Sequence, residues 1–262
     1  MLLAIDVGNT NIAIGVFAGG ELTVSWRLAS AAERTADELW VIVSRLFAER
    51  RVEPGQITGV ILSSVVPTVT KSVVKMVTQG FGQKVLHVDS NNTGLSILYE
   101  HPEEVGADRL VNSVAARAFY GESSHPIIVV DFGTATTFDV ISSAGEYLGG
   151  IICPGVEISA DALFDRAARL PKVDIQRPAA LIGRTTVGAI QSGLFYGYVA
   201  MIEGIIERLN DSLPEAKSFI CVATGGLAEK MATEVRFIDH INLDLTLTGL
   251  RLIWERNAGG QA

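Results

Sequence analysis

The sequence contains few cysteines, no long apolar run and no export signal. Cys153 and Cys221 are the only cysteines among 262 residues, which favours two buried thiols over a disulfide or a metal pair. No uncharged apolar run reaches the roughly 18 residues that a membrane-spanning helix needs. The first five residues meet Asp6 before they could form a signal-peptide core. We therefore expect a cytoplasmic protein that does not insert in a membrane.

Runs of basic residues and the common nucleotide and metal motifs are also missing. The net charge is −8 and no Lys/Arg cluster stands out, which argues against a nucleic-acid partner and favours a small substrate. No Gly-x-x-x-x-Gly-Lys-Ser/Thr motif occurs, so any phosphate site lacks a Walker lysine. No metal-ligand spacing is shared by the four histidines, His87, His101, His125 and His240.

An internal repeat is the strongest feature that the sequence does contain. The segment Ile5–Asn11 reads Ile-Asp-Val-Gly-Asn-Thr-Asn, and Val130–Thr136 repeats it 125 residues later as Val-Asp-Phe-Gly-Thr-Ala-Thr. Each copy follows an apolar run, and the pair Gly20-Glu21 recurs at the same offset as Gly145-Glu146. This pattern predicts two domains of one design, each beginning with three strands, that face each other across a cleft.

The Asp-x-Gly-x-Thr spacing suits phosphate binding. A strand-terminal Asp can hold a hydrated cation, the Gly lets backbone approach a phosphate, and Thr or Asn can donate hydrogen bonds. An ordinary hairpin turn explains a single copy equally well, but the presence of two copies favours a nucleotide site.

Periodicity predicts the remaining elements. A capping box at Thr35–Glu38 begins an amphipathic helix, a strand follows at Gly59–Ser64, and Pro67 begins a second helix. The second half repeats this order, with a strand at Phe219–Thr224 and helices over about 156–169, 186–209 and 245–257. The plausible linker is Gly121–Pro126, which predicts domains at residues 1–121 and 122–262.

This order of elements is similar to that of the actin-like, sugar-kinase and acetate-kinase superfamily, and within it the chain most resembles the type III pantothenate kinases. The resemblance implies an α/β fold of two duplicated actin-like (ribonuclease H-like) domains, each a mixed five-stranded sheet flanked by helices, with an interdomain nucleotide cleft. It covers essentially the whole chain. The residues that carry it are Asp6–Asn11, Gly106–Arg109, Asp131–Thr136, Gly149–Gly155, Ile182–Thr186 and Ala223–Gly226.

The resemblance implies transfer of the ATP γ-phosphate to the hydroxyl of pantothenate, giving 4'-phosphopantothenate in the first step of coenzyme A biosynthesis. It implies Mg²⁺ brought in with ATP, for which Asp6 is the first candidate ligand, and K⁺ or NH₄⁺ at Asp131. It also implies a homodimer in which Thr186 reaches the partner's substrate. Nucleotide contacts are implied for Asp6, Val7, Gly8, Asn9, Thr10, Asn11, Ile12, Ala13 and Thr134, and pantothenate contacts for Tyr99, Gly106, Ala107, Asp108, Arg109 and Thr186.

Several of these residues have structural alternatives. Asp108 matches the family's general base, but it also precedes a helical pattern and could act as an N-cap. Arg109 offers a fork for the pantothenate carboxylate, or it is a solvated helix-surface residue. Tyr99 could serve only in packing, and Thr186 could cap the long helix or lie in its first turn.

Two other classes of function are considered. The first is a regulatory or binding protein on the same fold, which would have lost catalysis. Against it counts the presence of Asp6, Asp108, Arg109 and Asp131. A sugar kinase or a filament-forming actin-like protein is the other, and a chain of 262 residues leaves little room for the insertions of those proteins.

Overall fold

The computed structural model describes residues 1–121, 125–167, 169–213 and 218–258. It divides into two compact units, one formed by Met1–Ala115 with Asp244–Ala262 and the other by Ala116–Leu243. Each unit contains one five-stranded mixed sheet, as the sequence predicts.

The first unit is built on strands β1 to β5. Its elements are β1 (Leu2–Val7), β2 (Asn11–Ala18), β3 (Glu21–Ala29), α1 (Ala36–Glu49), β4 (Gly59–Ser64), α2 (Pro67–Phe81), β5 (Val85–His87), α3 (Ala107–Tyr120) and α7 (Leu245–Ala258). The sheet order is β3-β2-β1-β4-β5, with β1 antiparallel to β2 and parallel to β4. Thr35 and Glu38 form the predicted capping box of α1.

Alternation along β1 separates two apolar clusters. Leu3, Ile5 and Val7 face the cluster formed with α1 and α2, whereas Leu2 and Ala4 face the cluster formed with α3 and α7. Since successive strand residues point to opposite faces, Asp6 belongs to the α3 and α7 face at the carboxyl end of β1.

The second unit repeats this topology. Its elements are β6 (Ile127–Phe132), β7 (Ala135–Ile141), β8 (Tyr147–Pro154), α4 (Val156–Arg166), α5 (Thr186–Ser212), β9 (Ile220–Thr224), α6 (Ala228–Met231) and β10 (His240–Ile241), joined to the last residues of α3. The sheet order is β10-β9-β6-β7-β8. One face of β6, carrying Ile128 and Val130, packs in a cluster with Phe195, Ile202 and Ile206 of α5.

The two compact units differ from the predicted domains in where α7 belongs. The sequence places the boundary between residues 121 and 122, and residues 122–124 lie outside the described part of the chain. In the structure, α7 belongs to the first unit because Leu247, Leu250 and Ile253 are buried in the cluster of the α3 and α7 face. Gly249 lets α7 approach α3 closely, since a Cβ at this position would lie 2.2 Å from the Val111 carbonyl oxygen.

Two predicted helices differ in length. α4 ends at Arg166 instead of Arg169, because Ala167 has an extended backbone. α5 runs through to Ser212, and within the described residues it is the helix long and apolar enough to cross a membrane. One face of α5 packs on its own sheet, as a core helix does.

Candidate active site

The first phosphate-loop candidate is the turn between β1 and β2. Its main chain closes it, because the Gly8 N–H donates to the Asn11 carbonyl at 2.9 Å. Asn9, Thr10 and Asn11 are exposed, and the Thr10 carbonyl accepts the Ser30 N–H at 2.8 Å. A main-chain closure leaves polar side chains of the turn on the surface, where they can meet phosphate oxygens.

Not every residue of this segment can offer its side chain to a nucleotide. Val7 and Ile12 are buried in the cluster shared with α1 and α2. Ala13 packs against the cluster of the α3 and α7 face. Contact by Val7 and Ile12 is therefore restricted to backbone atoms.

The acid–base candidate lies at the start of α3. The helix begins at Ala107, so Asp108 lies inside its first turn. The alternative that Asp108 is the N-cap residue of α3 is therefore wrong. The Arg109 N–H donates to Asp108 Oδ1 at 2.8 Å. Gly106 packs tightly here, since a Cβ would lie 2.6 Å from that same oxygen.

Burial raises the pKa of Asp108 above its usual range, and the hydrogen bond and positive charge of Arg109 oppose the shift only in part. A carboxylate with a raised pKa is a stronger base than an ordinary aspartate. This property suits a group that accepts a proton from an alcohol during reaction.

Arg109 is not a surface residue. Only 8% of it is exposed, so the solvated alternative is wrong. A guanidinium this deeply buried gains from a carboxylate partner, and its planar fork matches a carboxylate geometrically. Tyr99 lies in the same unit, in the segment between β5 and α3, and is 38% exposed.

The second phosphate-loop candidate is the turn between β6 and β7, which is one residue shorter than the first. Gly133 donates its N–H to the Ala135 carbonyl at 3.1 Å, and the Thr134 carbonyl accepts the Gly155 N–H at 3.1 Å. Asp131 and Thr134 are both half-buried.

Two glycines that the sequence reasoning did not assign to the site fix this second turn. A Cβ on Gly155 would lie 2.2 Å from the Thr134 carbonyl oxygen. A Cβ on Gly225 would lie 2.3 Å from Asp131 Oδ1, and Gly225 has φ +95°. The signal available in the sequence was the position of each glycine directly after a strand, in Pro154-Gly155 and Thr224-Gly225-Gly226.

The aspartates occupy matching positions in the two sheets. Asp6 pairs with Ala13 on one side and Ser63 on the other, and Asp131 pairs with Thr137 and Thr224. Each aspartate therefore has a hydroxyl residue beside it on the neighbouring parallel strand. Sequence reasoning assigned neither Ser63 nor Thr224 to the site.

The donor sets suit hydrated cations better than a protein cage. Within the described residues, no three His, Cys, Asp or Glu side chains are grouped to hold a metal. A single carboxylate at the end of a strand fits Mg²⁺, which keeps most of its water and shares phosphate oxygens with the nucleotide. Asp6 fits this pattern in the first unit, and Asp131 offers a single strand-terminal carboxylate in the second.

The histidines and cysteines have other surroundings. His240 stacks on Tyr120 at 4.7 Å between ring centroids, and His125 Nδ1 lies 3.2 Å from Ser218 Oγ. Both cysteines are free thiols, and burial raises the pKa of Cys221. Within the described part of the chain, neither the histidines nor the cysteines belong to a group of three possible metal ligands.

Thr186 lies at an exposed end of the second unit. Thr185 is the N-cap of α5, accepting the Gly188 N–H at 3.0 Å, so Thr186 is in the first turn. A cavity of about 790 Å³ opens beside Thr186. The apolar residues exposed in the surrounding segments are Ile158, Leu163, Phe164, Leu181, Ile182 and Val187.

Solved structures of similar fold include enzymes of sugar metabolism. A ROK family glucokinase from Streptomyces griseus has a TM-score of 0.55 at 12% identity, with 100% of this chain and 99% of that chain covered. A Campylobacter jejuni protein assigned to the Baf family of transcriptional activators has a TM-score of 0.61 at 18% identity, with 98% and 99% covered. Identities this low show the actin-like kinase fold alone.

Sequence comparison identifies the family. A protein of Moorella thermoacetica called type III pantothenate kinase is 51% identical over 98% of this chain and 100% of its own length. One of the same name from Myxococcus xanthus is 48% identical over 98% of this chain and 99% of its own length. The family model for type III pantothenate kinase matches residues 2–208. The chain therefore belongs to the type III pantothenate kinase family of ATP-dependent kinases.

Proposed function

We propose that this pantothenate kinase uses Asp108 as general base and the buried Arg109 as the group that orients the pantothenate carboxylate. The observation that carries the proposal is the partly buried Asp108 carboxylate at the start of α3, with a raised pKa, directly beside the buried Arg109. Phosphoryl transfer needs positioning, charge neutralisation and a proton acceptor, and these two residues provide the first and the last.

The reaction follows from these roles. The terminal hydroxyl oxygen of pantothenate attacks the γ-phosphorus of ATP while the bond from that phosphorus to the β–γ bridging oxygen breaks. The hydroxyl proton passes to the Asp108 carboxylate, and ADP leaves with the electron pair of the broken bond. Arg109 holds the carboxylate at the other end of the substrate, so that the hydroxyl reaches the base in one orientation.

Phosphate binding is assigned to the two turns. In the first unit, Asn9, Thr10 and the turn's main chain would hold phosphate oxygens, and Asp6 would hold a hydrated Mg²⁺. In the second unit, Thr134 would hold phosphate and Asp131 a monovalent cation, K⁺ or NH₄⁺. The cations would supply positive charge in a chain that has no Walker lysine.

A homodimer is the second part of the proposal. Ile182, of which 79% is exposed, and Val187 leave apolar surface beside Thr186 that a second copy of the chain would cover. The same contact would account for the apolar composition of α5 without a membrane. Thr186 would then contribute its hydroxyl to the partner's substrate.

The kinase assay measures ADP release with ATP, Mg²⁺ and K⁺, with and without pantothenate. Asp108→Asn should lower kcat at least about 100-fold, the usual contribution of a general base, while nucleotide binding persists. Asp37→Asn is the matched control. Asp37 is the second residue of α1, just as Asp108 is the second residue of α3, but the Asp37 side chain is exposed. Near-normal turnover in Asp108→Asn would contradict the proposed role.

Sedimentation tests the dimer. Ile182→Glu should convert it to a monomer by placing a charge in the apolar contact. Val41→Glu serves as control, because Val41 is also highly exposed, at 67%, on α1 of the other unit. A dimer that tolerates Ile182→Glu would place the interface elsewhere.

Two further statements belong to the proposal. A cytoplasmic location fits a metabolic kinase, and the net charge of −8 argues against a nucleic-acid partner. The family match, and the presence of Asp108 beside the buried Arg109, do not favour a regulatory or binding protein on the same fold.

A further inference from the structure

Ser63 is a buried hydroxyl residue that the proposed mechanism does not use. It lies near the carboxyl end of β4 and is 0% exposed. Among the described residues, Ser63 Oγ has no hydrogen-bond partner. A buried hydroxyl without a partner destabilises a fold, so its position calls for a physical explanation.

The register of the sheet places Ser63 beside Asp6. β1 and β4 are parallel, and Asp6 and Ser63 are direct partners across the ladder. Ile61, two residues before Ser63, packs in the same cluster as Ala4, two residues before Asp6. By alternation, both side chains belong to the α3 and α7 face of the sheet.

The adjacent serine shows what a structural hydroxyl looks like in this strand. Ser64 Oγ lies 2.6 Å from Thr70 Oγ1 and accepts the Val66 N–H at 3.1 Å. Ser64 therefore joins the end of β4 to the start of α2. Ser63, on the opposite face, has no such connection within the described structure.

The second unit repeats the pairing. Thr224 is buried and is the ladder partner of Asp131 on the parallel strand β9. A hydroxyl therefore lies beside the strand-terminal aspartate in both halves, although the residue types differ. The repetition indicates a role linked to the aspartate rather than an accident of one strand.

From these observations we propose that Ser63 is a positioning residue for the hydrated divalent cation at Asp6. Its hydroxyl can donate to the Asp6 carboxylate, its neighbour across the ladder, and so orient that carboxylate toward the cation's shell. The inference rests on the proposed role of Asp6 and extends it to a residue on a different strand. Ser63 itself does not touch the reacting atoms.

The test measures nucleotide affinity by calorimetry, without pantothenate, in a Mg²⁺ titration and in the absence of divalent cation. Ser63→Ala should weaken the Mg²⁺-dependent binding of ATP about 10-fold and leave the Mg²⁺-free affinity unchanged. Ser63→Thr should keep the Mg²⁺-dependent binding of ATP, since the equivalent position in the second unit is Thr224. Ser64→Ala is the matched control, and its Mg²⁺ titration should equal that of the wild type.

Thermal unfolding separates this role from a structural one. Ser63→Ala should melt at or above the wild-type temperature because it removes an unsatisfied buried hydroxyl, whereas Ser64→Ala should melt lower. If the Mg²⁺ titration of Ser63→Ala equalled that of the wild type, the inference would be overturned and the proposed function left intact. A clearly lower melting temperature of Ser63→Ala would have the same consequence. If the wild type itself showed no Mg²⁺-dependent ATP binding, the cation role of Asp6 and this inference would both be wrong.

Discussion

Replacement of Gly225 by alanine tests the geometry of the second phosphate-loop candidate. Two costs add at this position. The backbone has φ +95°, which strains an L-residue by about 1–2 kcal/mol. The new Cβ would also lie 2.3 Å from Asp131 Oδ1 and 2.7 Å from the backbone N and C of Phe132, an overlap of the kind that costs about 1–3 kcal/mol. Together these terms predict a loss of about 2–5 kcal/mol in the free energy of unfolding.

The overlap should also change function. Phe132 belongs to the buried strand β6, so its backbone cannot move easily, and the Asp131 carboxylate must move instead. We expect Gly225→Ala to require a several-fold higher K⁺ concentration for half-maximal pantothenate-dependent ADP release. The assays are urea unfolding and a K⁺ titration of activity at fixed ionic strength.

Gly19→Ala is the control that isolates the overlap. Gly19 also has a left-handed backbone, with φ +59°, but no atom from elsewhere in the described chain would lie within 4 Å of its Cβ. It should lose only the backbone term of about 1–2 kcal/mol and keep a normal K⁺ titration. If Gly225→Ala were no less stable than Gly19→Ala, the contact argument would be refuted. A stability loss with an unchanged K⁺ titration would instead separate Gly225 from the cation site.

Three further predictions concern charge. The folded state binds the Asp108 proton more tightly than the unfolded chain, so the free energy of unfolding falls as pH rises from the usual aspartate pKa to the raised one. Asp108→Asn should therefore have a higher melting temperature than the wild type at neutral pH. Equal melting temperatures at that pH would contradict the pKa shift. In the same wild-type enzyme, kcat/KM should fall as pH drops through the raised pKa of Asp108, and a flat profile would exclude Asp108 as the base. Arg109→Lys should raise KM for pantothenate about 10-fold or more with a smaller effect on kcat, because lysine lacks the bidentate fork, whereas an unchanged KM would move the carboxylate contact elsewhere.

The sequence predicted most of the fold because its local signals agree with one another. The capping box at Thr35, Pro67 at the start of α2 and the apolar strand Gly59–Ser64 are each found where the pattern placed them. The repeated Asp-x-Gly turn predicted that both halves have the same sheet topology. These features depend on a few neighbouring residues, so periodicity and turn chemistry are sufficient to find them.

Features that depend on tertiary packing were missed or left open. The burial of Arg109 is not visible in sequence, because an arginine at the start of α3 could equally well be a solvated helix-surface residue. The contacts of Gly155 and Gly225 depend on segments that come together only in the folded sheet. The pairing of Asp6 with Ser63 requires the register between β1 and β4, which are separated by two strands and a helix along the chain.

The position of the C-terminal helix follows from a difference between the two copies. Gly15 is the ladder partner of Ala4 on β2, and a Cβ at this glycine would lie only 3.0 Å from the Leu247 side chain of α7. In the second unit, the corresponding partner of Val129 on β7 is Asp139.

Asp139 is fully buried, and the Tyr147 hydroxyl donates to its Oδ1 at 2.8 Å. A buried carboxyl group held by a tyrosine is a poor packing surface for the apolar side chain that fits against Gly15, because its hydrogen bonds would have to be given up. The two copies thus share a topology while their corresponding faces differ in chemistry. The repeated motifs in the sequence predict that α7 belongs to the second half of the chain. Gly15, the ladder partner of Ala4, instead favours packing of α7 on the first unit.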